Sequence, residues 1–456
     1  MKSIIGPNSV DSTPLALSAS AIAMPRSGMQ REASLGTTTN LSANRVTRGL
    51  QTNLAPLIDT ETGEIVPIES NDNGDISVAF NSAVFRHKKY ALQATAAEIL
   101  PYSYKFAKYS PKIKKDKQVN FRVAGCLRTV IAPDDNIKVY KSKEHGKCHY
   151  GGLMICGSVW TCPICASKIT EKKSQIITAT LQAHMDQKDF KGDAMLITLT
   201  FPHSRDDKLS DILTKFKAAE AGFSKTRAVM ELKKELGFIE PIKSLEITYG
   251  HKNGFHPHSH QIWFTNNKMD HSRIKARLFI HWKNYCVKRG LESPSLEYGI
   301  DVRGGMKAGD YVSKMGWNLG SEVAKGHTKK SKGDRFAPFD LLQEYLNNET
   351  TWSKEKFREY AKATYSLHYI SRFPKLQKLY DIVDKTDQEL SEEKTDNADF
   401  VGMLDFKQWK KVLSYDYRAL VLQLSEERDW GVVLKIVNGL PDPKGKKKRR
   451  RKNKSD

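Results

Sequence analysis

The most regular stretch of the chain lies between residues 195 and 317, where the hydrophobic period changes several times. "MLITLTF" (195–201) is apolar and β-branched, which predicts a buried strand. Leu209, Ile212, Leu213 and Phe216 then recur at helical spacing on one face. "KSLEITY" (243–249) alternates and predicts a second strand, "GHKNGF" carries an Asn-Gly turn signal, and "HPHSHQIWF" (256–264) is the return strand of the hairpin. Ile274, Leu278, Trp282 and Tyr285 mark a second amphipathic helix, "LEYGIDV" (296–302) alternates as a fourth strand, and "MKAGDYVSKMGW" (306–317) predicts a third helix. The order β-α-β-β-α-β is the ferredoxin-like split arrangement. The expected fold class is therefore α+β, an antiparallel sheet with helices on one face and the other face open.

Around this core the pattern is weaker. Residues 1–80 are rich in Ser, Thr, Asn and Gly and read as disordered. Residues 81–175 read as a basic, partly helical segment followed by a cysteine-bearing module, and 190–320 as the core domain. Residues 321–440 read as a helical extension, with helices near 338–346, 352–364 and within 405–438, and 441–456 as a disordered basic tail.

Composition adds a partner class. Lys and Arg number 74 against 52 Asp and Glu, a formal charge of +22. The last fourteen residues hold nine Lys/Arg and one Asp, so +14 remains on the body. A surplus of this size points to a polyanion. No apolar run approaches the ~20 residues needed to cross a bilayer. "PLALSASAIAMPR" (14–26) has an apolar core that is short and broken by Ser, so a secretory signal is not expected; the expected location is the cytoplasm of a prokaryote. Four of the six cysteines crowd between residues 148 and 165, which favours a metal site over a disulfide framework.

Candidate chemistry gathers on the hairpin. His256, His258 and His260 share one face of an extended segment, with imidazoles ~7 Å apart along the strand. Glu246 lies on the partner strand in phase with Ser244 and Thr248, so the turn carries a carboxylate alongside them. Imidazole with carboxylate suits Mg²⁺, Mn²⁺ or Zn²⁺. The competing reading is three solvent-facing histidines on a basic surface. In "CGSVWTCPIC", Cys162 and Cys165 form a C-x₂-C knuckle with Cys156 six residues earlier; Cys126, Cys148 or His149 would complete a structural Zn²⁺ site. Cys286, on an amphipathic helix, reads as a buried apolar residue.

These motifs together resemble the replication initiators of rolling-circle plasmids, members of the His-hydrophobic-His (HUH) endonuclease superfamily. "GFHPHSHQIWF" resembles their histidine motif, "MLITLTF" their apolar first motif, "DYVSKM" their tyrosine motif, and "CGSVWTCPIC" and "FAPFDLL" (336–342) segments of one single-tyrosine plasmid branch. The resemblance spans about residues 120–345. It implies that His258 and His260 with Glu246 hold Mg²⁺ or Mn²⁺, that His256 lies at or behind them, and that Cys126 is the fourth zinc ligand. Tyr311 would be the nucleophile, forming a 5′-phosphotyrosine in single-stranded origin DNA and freeing a 3′-OH to prime synthesis. Lys314, three residues on, would offset developing charge. By charge alone, "KGHTKKSKGDR" (325–335, with Lys329, Lys330, Lys332 and Arg335), the basic tail and Lys307 are candidates for phosphate contact, with a solvated face as the competing reading; the resemblance adds a host helicase and DNA polymerase as partners. The sequence departs from the family twice. Ser259 replaces the apolar residue between His258 and His260, and Lys307 stands one helical turn before Tyr311 where some relatives carry an acid. The alternatives are a single-tyrosine transposase or relaxase, a non-enzymatic zinc-dependent DNA-binding protein, and a histidine-ligated hydrolase.

Overall fold

The structure is a computed structural model that describes residues 57–58, 65–66, 76–100, 120–304, 335–383, 385–392 and 397–443. Its strands are β1 (Leu57–Ile58), β2 (Ile65–Val66), β3 (Ile137–Ser142), β4 (Cys148–Gly151), β5 (Asp193–Leu199), β6 (Phe238–Gly250), β7 (Gly254–Thr265), β8 (Ile300–Gly304), β9 (Arg335–Phe336) and β10 (Ala398–Leu404). Its α-helices are α1 (Ile76–Ile99), α2 (Pro163–Met185), α3 (Leu209–Phe223), α4 (Arg227–Glu235), α5 (His271–Lys288), α6 (Pro338–Asn348), α7 (Thr351–Ala363), α8 (Pro374–Tyr380), α9 (Asp387–Glu392), α10 (Phe406–Ser414), α11 (Arg418–Glu427) and α12 (Trp430–Gly439). None of the described helices is long and apolar enough to cross a membrane.

Five strands form one antiparallel sheet in the order β8-β5-β7-β6-β9. The β6–β7 hairpin turns where the Asn-Gly signal stands. Gly254 adopts φ +76°, and a Cβ there would meet Ser204 O at 3.0 Å and Arg205 Cα at 3.1 Å, so both conformation and space demand glycine. Side chains alternate between the two faces. Met195, Ile197, Leu199, Phe255 and Trp263 meet Leu209, Ile212, Leu213 and Phe216 of α3 and Ile274, Leu278 and Trp282 of α5 in the main core. Asp270 caps α5 by accepting from the Arg273 N–H at 2.8 Å, and Thr226 caps α4.

The opposite face is not open along its whole length. Ala194, Leu196, Ile242, Ile262 and Phe264 lie under Ile177 and Leu181 of α2 and under Phe373 and Leu376 at the start of α8. The reason is in the strand itself: Ile262 and Phe264 continue the histidine stripe as apolar residues and need a cover. Two further expectations are corrected. The fourth strand begins at Ile300, because residues 295–299 form a turn closed by Gly299 N–H donating to Ser295 O at 2.7 Å. Leu296 and Tyr298, counted in that alternation, are exposed. The stretch read as disordered to residue 80 contains the β1–β2 pair and the start of α1.

The C-terminal region is not purely helical and does not stand apart. Its strand β10 pairs with β3, which pairs with β4, making a second antiparallel sheet in the order β10-β3-β4. One face of that sheet is sealed by Trp409, Val412, Leu422, Val433 and Val437 from α10, α11 and α12. Arg418, fully buried, ties this layer to the rest. Its guanidinium donates to Gln93 Oε1 at 2.7 Å and Tyr90 O at 3.3 Å, and Gln93 Nε2 donates to Val123 O and Cys126 O at 2.8 and 2.9 Å. Arg418→Ala removes the cation and leaves buried acceptors unpaired, so a loss of about 3–5 kcal/mol is expected in a denaturant titration. A change below ~1 kcal/mol would show that this network does not hold the layers together.

Candidate active site and metal centres

Sheet register assembles the histidine site. Glu246 on β6 is directly opposite His258 on β7, and His260 is flanked by Ser244 on β6 and Thr198 on β5. Cross-strand partners point to the same face. His260 is buried, with Nε2 3.1 Å from Glu246 Oε2 and Nδ1 3.0 Å from Thr198 Oγ1. One ligand atom from each of Glu246, His258 and His260 falls within 4.8 Å of the others.

The electrostatics suit a cation. Burial pushes the His258 imidazole down to about 4, so the ring is neutral and its lone pair is available. Its Nε2 is buried with no hydrogen-bond partner among the described residues. An orphaned nitrogen beside a carboxylate is costly in a core and natural in a ligand set. Burial works against the charge on Glu246, but the hydrogen bond to His260 and the nearby His258, His260 and Arg335 hold its pKa below the ordinary value. The Thr198 hydroxyl can accept from Nδ1–H of His260 and so aim Nε2 at the ion. Two imidazole nitrogens and a carboxylate oxygen fit Mg²⁺, Mn²⁺ or Zn²⁺.

His256 is outside this ligand group. Its Nε2 lies 2.6 Å from Thr200 Oγ1, and its ring lies 4.2 Å from that of His203. Burial depresses its pKa strongly. Ser259 faces away from the site, toward α3. There its hydroxyl accepts from Gln261 Nε2 at 3.3 Å; Gln261 Nε2 also donates to Glu220 Oε1 at 3.1 Å, and Gln261 Oε1 accepts from Trp263 Nε1 at 3.0 Å. Ser259 between the two histidines is therefore absorbed by a satisfied polar network and leaves the histidine face unchanged.

Five contributors to this face carried no signal in the sequence reading: Thr198, Thr200, His203, Asp301 and Arg303. Thr198 and Thr200 share the period of the histidine strand but sit in a run read as simply apolar. Asp301 pairs with Thr198 and Arg303 with Leu196, so both belong to the histidine face at the β8 edge, where they form an ion pair at 2.5 Å. Arg335, exposed on β9 beside Gly250, stands at the other edge. Its charge helps to depress His256 and His258. Tyr311, Lys314, Lys307, Lys329, Lys330 and Lys332 lie outside the described residues.

The four cysteines are a second group that could hold a metal ion. Cys126 follows a 3₁₀ turn (Arg122–Gly125), Cys156 lies in a loop, Cys162 caps α2 and Cys165 sits in its first turn. The Sγ atoms of Cys126 and Cys165 are 3.6 Å apart, those of Cys156 and Cys165 3.6 Å, and those of Cys126 and Cys162 3.8 Å. A disulfide would need ~2.05 Å. Four thiolates ~2.3 Å from one tetrahedral zinc stand about 3.8 Å from each other, so the donor set fits Zn²⁺. Hydrogen bonds from the other three thiols pull Cys165 down, and the helix N-terminus favours its thiolate. Cys148 belongs to the other core, where burial pushes it up to about 11, and His149 stacks on Tyr140. The cluster is not a coreless module: all four cysteines are part of the main hydrophobic core.

Comparison with known proteins places the chain. It is 23% identical over 279 residues to "Protein rep" of Streptomyces lividans, an alignment covering 47% of this chain and 60% of that protein. It is 27% identical over 151 residues to "Neomycin resistance protein" of Streptomyces cyanogenus, covering 28% of this chain and 34% of that one. It thus spans less than two thirds of the length of either relative. No solved structure matches. The family profile described as Replication protein (Rep_1) matches residues 154–418, which take in α2, the whole five-stranded sheet and the start of α11. This protein belongs to the Rep_1 family of replication proteins.

Proposed function

We propose that the protein initiates rolling-circle replication of a plasmid by nicking and rejoining single-stranded origin DNA. The observation that carries this reading is the β6–β7 register, which sets Glu246 against His258 beside the oriented His260 on the uncovered end of the face. The β-α-β-β-α-β connectivity and the β8-β5-β7-β6 order support a ferredoxin-like HUH core. Tyr311 follows Gly304, the end of β8, by seven residues, which can span up to ~24 Å. β8 lies two strand spacings from β7, about 10 Å, so the phenol has the reach to meet the histidine site.

In this reading Tyr311 Oη attacks the scissile phosphorus. A tyrosine–phosphate ester forms, the bond from phosphorus to the 3′-oxygen breaks, and the phenolic proton ends on the released 3′-OH. A divalent ion held by Glu246, His258 and His260 supplies Lewis-acid polarisation of the phosphate when bound. Lys314 and Lys307 favour the phenolate by their charge. Arg303 and Arg335 flank the site from opposite edge strands, where guanidinium forks suit the phosphates on either side of the scissile one. One ester replaces another, so rejoining needs no separate energy source. The freed 3′-OH primes a host polymerase on a strand opened by a host helicase. Zn²⁺ at Cys126, Cys156, Cys162 and Cys165 fixes the loops that lead into α2.

The test uses full-length protein, labelled single-stranded origin DNA and Mn²⁺, with Tyr311→Phe in parallel. Wild type should give a labelled protein band that survives SDS, and Tyr311→Phe and a chelated sample should give none. An adduct of equal yield in Tyr311→Phe would overturn the proposal.

A further inference from the structure

The three-stranded sheet carries an aromatic row on its outer face that the chemistry above does not use. Phe400 of β10, Tyr140 of β3 and His149 of β4 are register partners across all three strands. Neighbouring ring centroids are 5.9 and 5.8 Å apart, and the Tyr140 and His149 planes are inclined by only 25°. Tyr140 lies down on the sheet because Gly151 leaves room for it: a Cβ at that position would be 2.7 Å from Tyr140 Cε2. Phe400 is 58% exposed, and Met403, opposite Lys138, is 50% exposed.

A sheet that only closed a core would put polar residues on its wet face. Here the reverse face is already sealed by α10, α11 and α12, so the rings are not needed for the core. Only Tyr140 and His149 are near parallel, while Phe400 meets Tyr140 edge-on at 68°; aromatic rings on a sheet still offer faces on which unstacked nucleobases can stack. Lys138 and Lys143 rim the row, paired with Asp134 at 3.3 Å and Asp399 at 3.0 Å. Each acid offsets its lysine, so the rim adds little net charge to the row. The overall charge of +22 and membership in a family of replication proteins point to a nucleic acid as the occupant, and aromatic side chains favour unpaired bases over a closed duplex.

We propose that Phe400, Tyr140 and His149 form a stacking platform for two or three unpaired bases of single-stranded DNA. The platform is remote in sequence from the histidine site and does not depend on the tyrosine chemistry. Because acids offset the rimming lysines, stacking rather than counterion release carries the contact.

The test is fluorescence anisotropy of a short labelled oligo-dT with the zinc-loaded full chain and no Mg²⁺ or Mn²⁺, so that nicking is not read. Tyr140→Leu with Phe400→Leu should weaken binding about tenfold with an unchanged salt slope, whereas Tyr140→Phe should bind as wild type. Photocrosslinking of wild type to iododeoxyuridine DNA should map to β3, β4 or β10, which decides the matter even if the double variant unfolds. Wild-type affinity in a folded double variant, or crosslinks confined to other segments, would overturn the platform. So would loss of self-association with DNA affinity unchanged, which would assign the face to a second copy of the chain. A failure of this test leaves the nicking reading standing, and a failure of the Tyr311→Phe test leaves the platform standing.

Discussion

His260→Ala is expected to lower the rate of strand nicking at least about a thousandfold, because in the proposed mechanism losing a metal ligand removes several kcal/mol of charge stabilisation at the phosphate. Thr198→Val should cost less, about ten- to a hundredfold, because it removes only the group that orients the imidazole. The contrast is the informative part. His260 touches both Glu246 and Thr198, and the pair of variants separates holding the ion from aiming the ring. Single-turnover cleavage of a labelled oligonucleotide, with Mn²⁺ titrated for each variant, measures both terms. Thr198→Val should be partly rescued at high Mn²⁺ and His260→Ala should not. Equal rates for His260→Ala and wild type would remove the ion from the mechanism.

The second large effect concerns the cysteine cluster. If the four cysteines hold zinc as proposed, Cys162→Ser or a strong chelator is expected to lower the thermal midpoint by roughly 10 °C or more, since a structural zinc would contribute folding free energy directly. The loss should not be confined to a small satellite. Cys126, Cys156, Cys162 and Cys165 share the main core with α3, α5 and the sheet, and the backbone at Cys126 is bonded through Gln93 to Arg418. A single broadened transition by circular dichroism, with zinc released in the same range, is the expected result. An unchanged midpoint with zinc gone would show that packing alone holds the cysteines.

Much of the central sheet was legible because its signals are local. Period-two alternation set β6 and β7, an Asn-Gly pair set their turn, and the helical stripes through Phe216 and Trp282 set α3 and α5. The same alternation brought Glu246 to the histidines, since register follows once the turn is known. It misled at residues 296–299, where alternating apolar residues fall in a turn. What was not legible was long-range. Nothing local in "ADFVGML" says that β10 completes a sheet with β3, more than 250 residues away, or that α2 covers Ile262 and Phe264. The roles of Thr198 and Asp301 likewise appear only when β5 and β8 are set beside β7. Arg418 carries no local signal in the sequence, and only its neighbours in α1 show why it is buried.

The most direct measurement is the identity of the residue that carries DNA after reaction. The chain has 17 tyrosines, and the account selects one. Trapped adduct should be digested with protease and nuclease and sequenced by mass spectrometry. The expected result is a single nucleotide-bearing peptide with its phosphate on Tyr311. A phosphate on any other residue, such as the exposed Tyr298 at the head of β8, or cleavage with no covalent protein product, would contradict it.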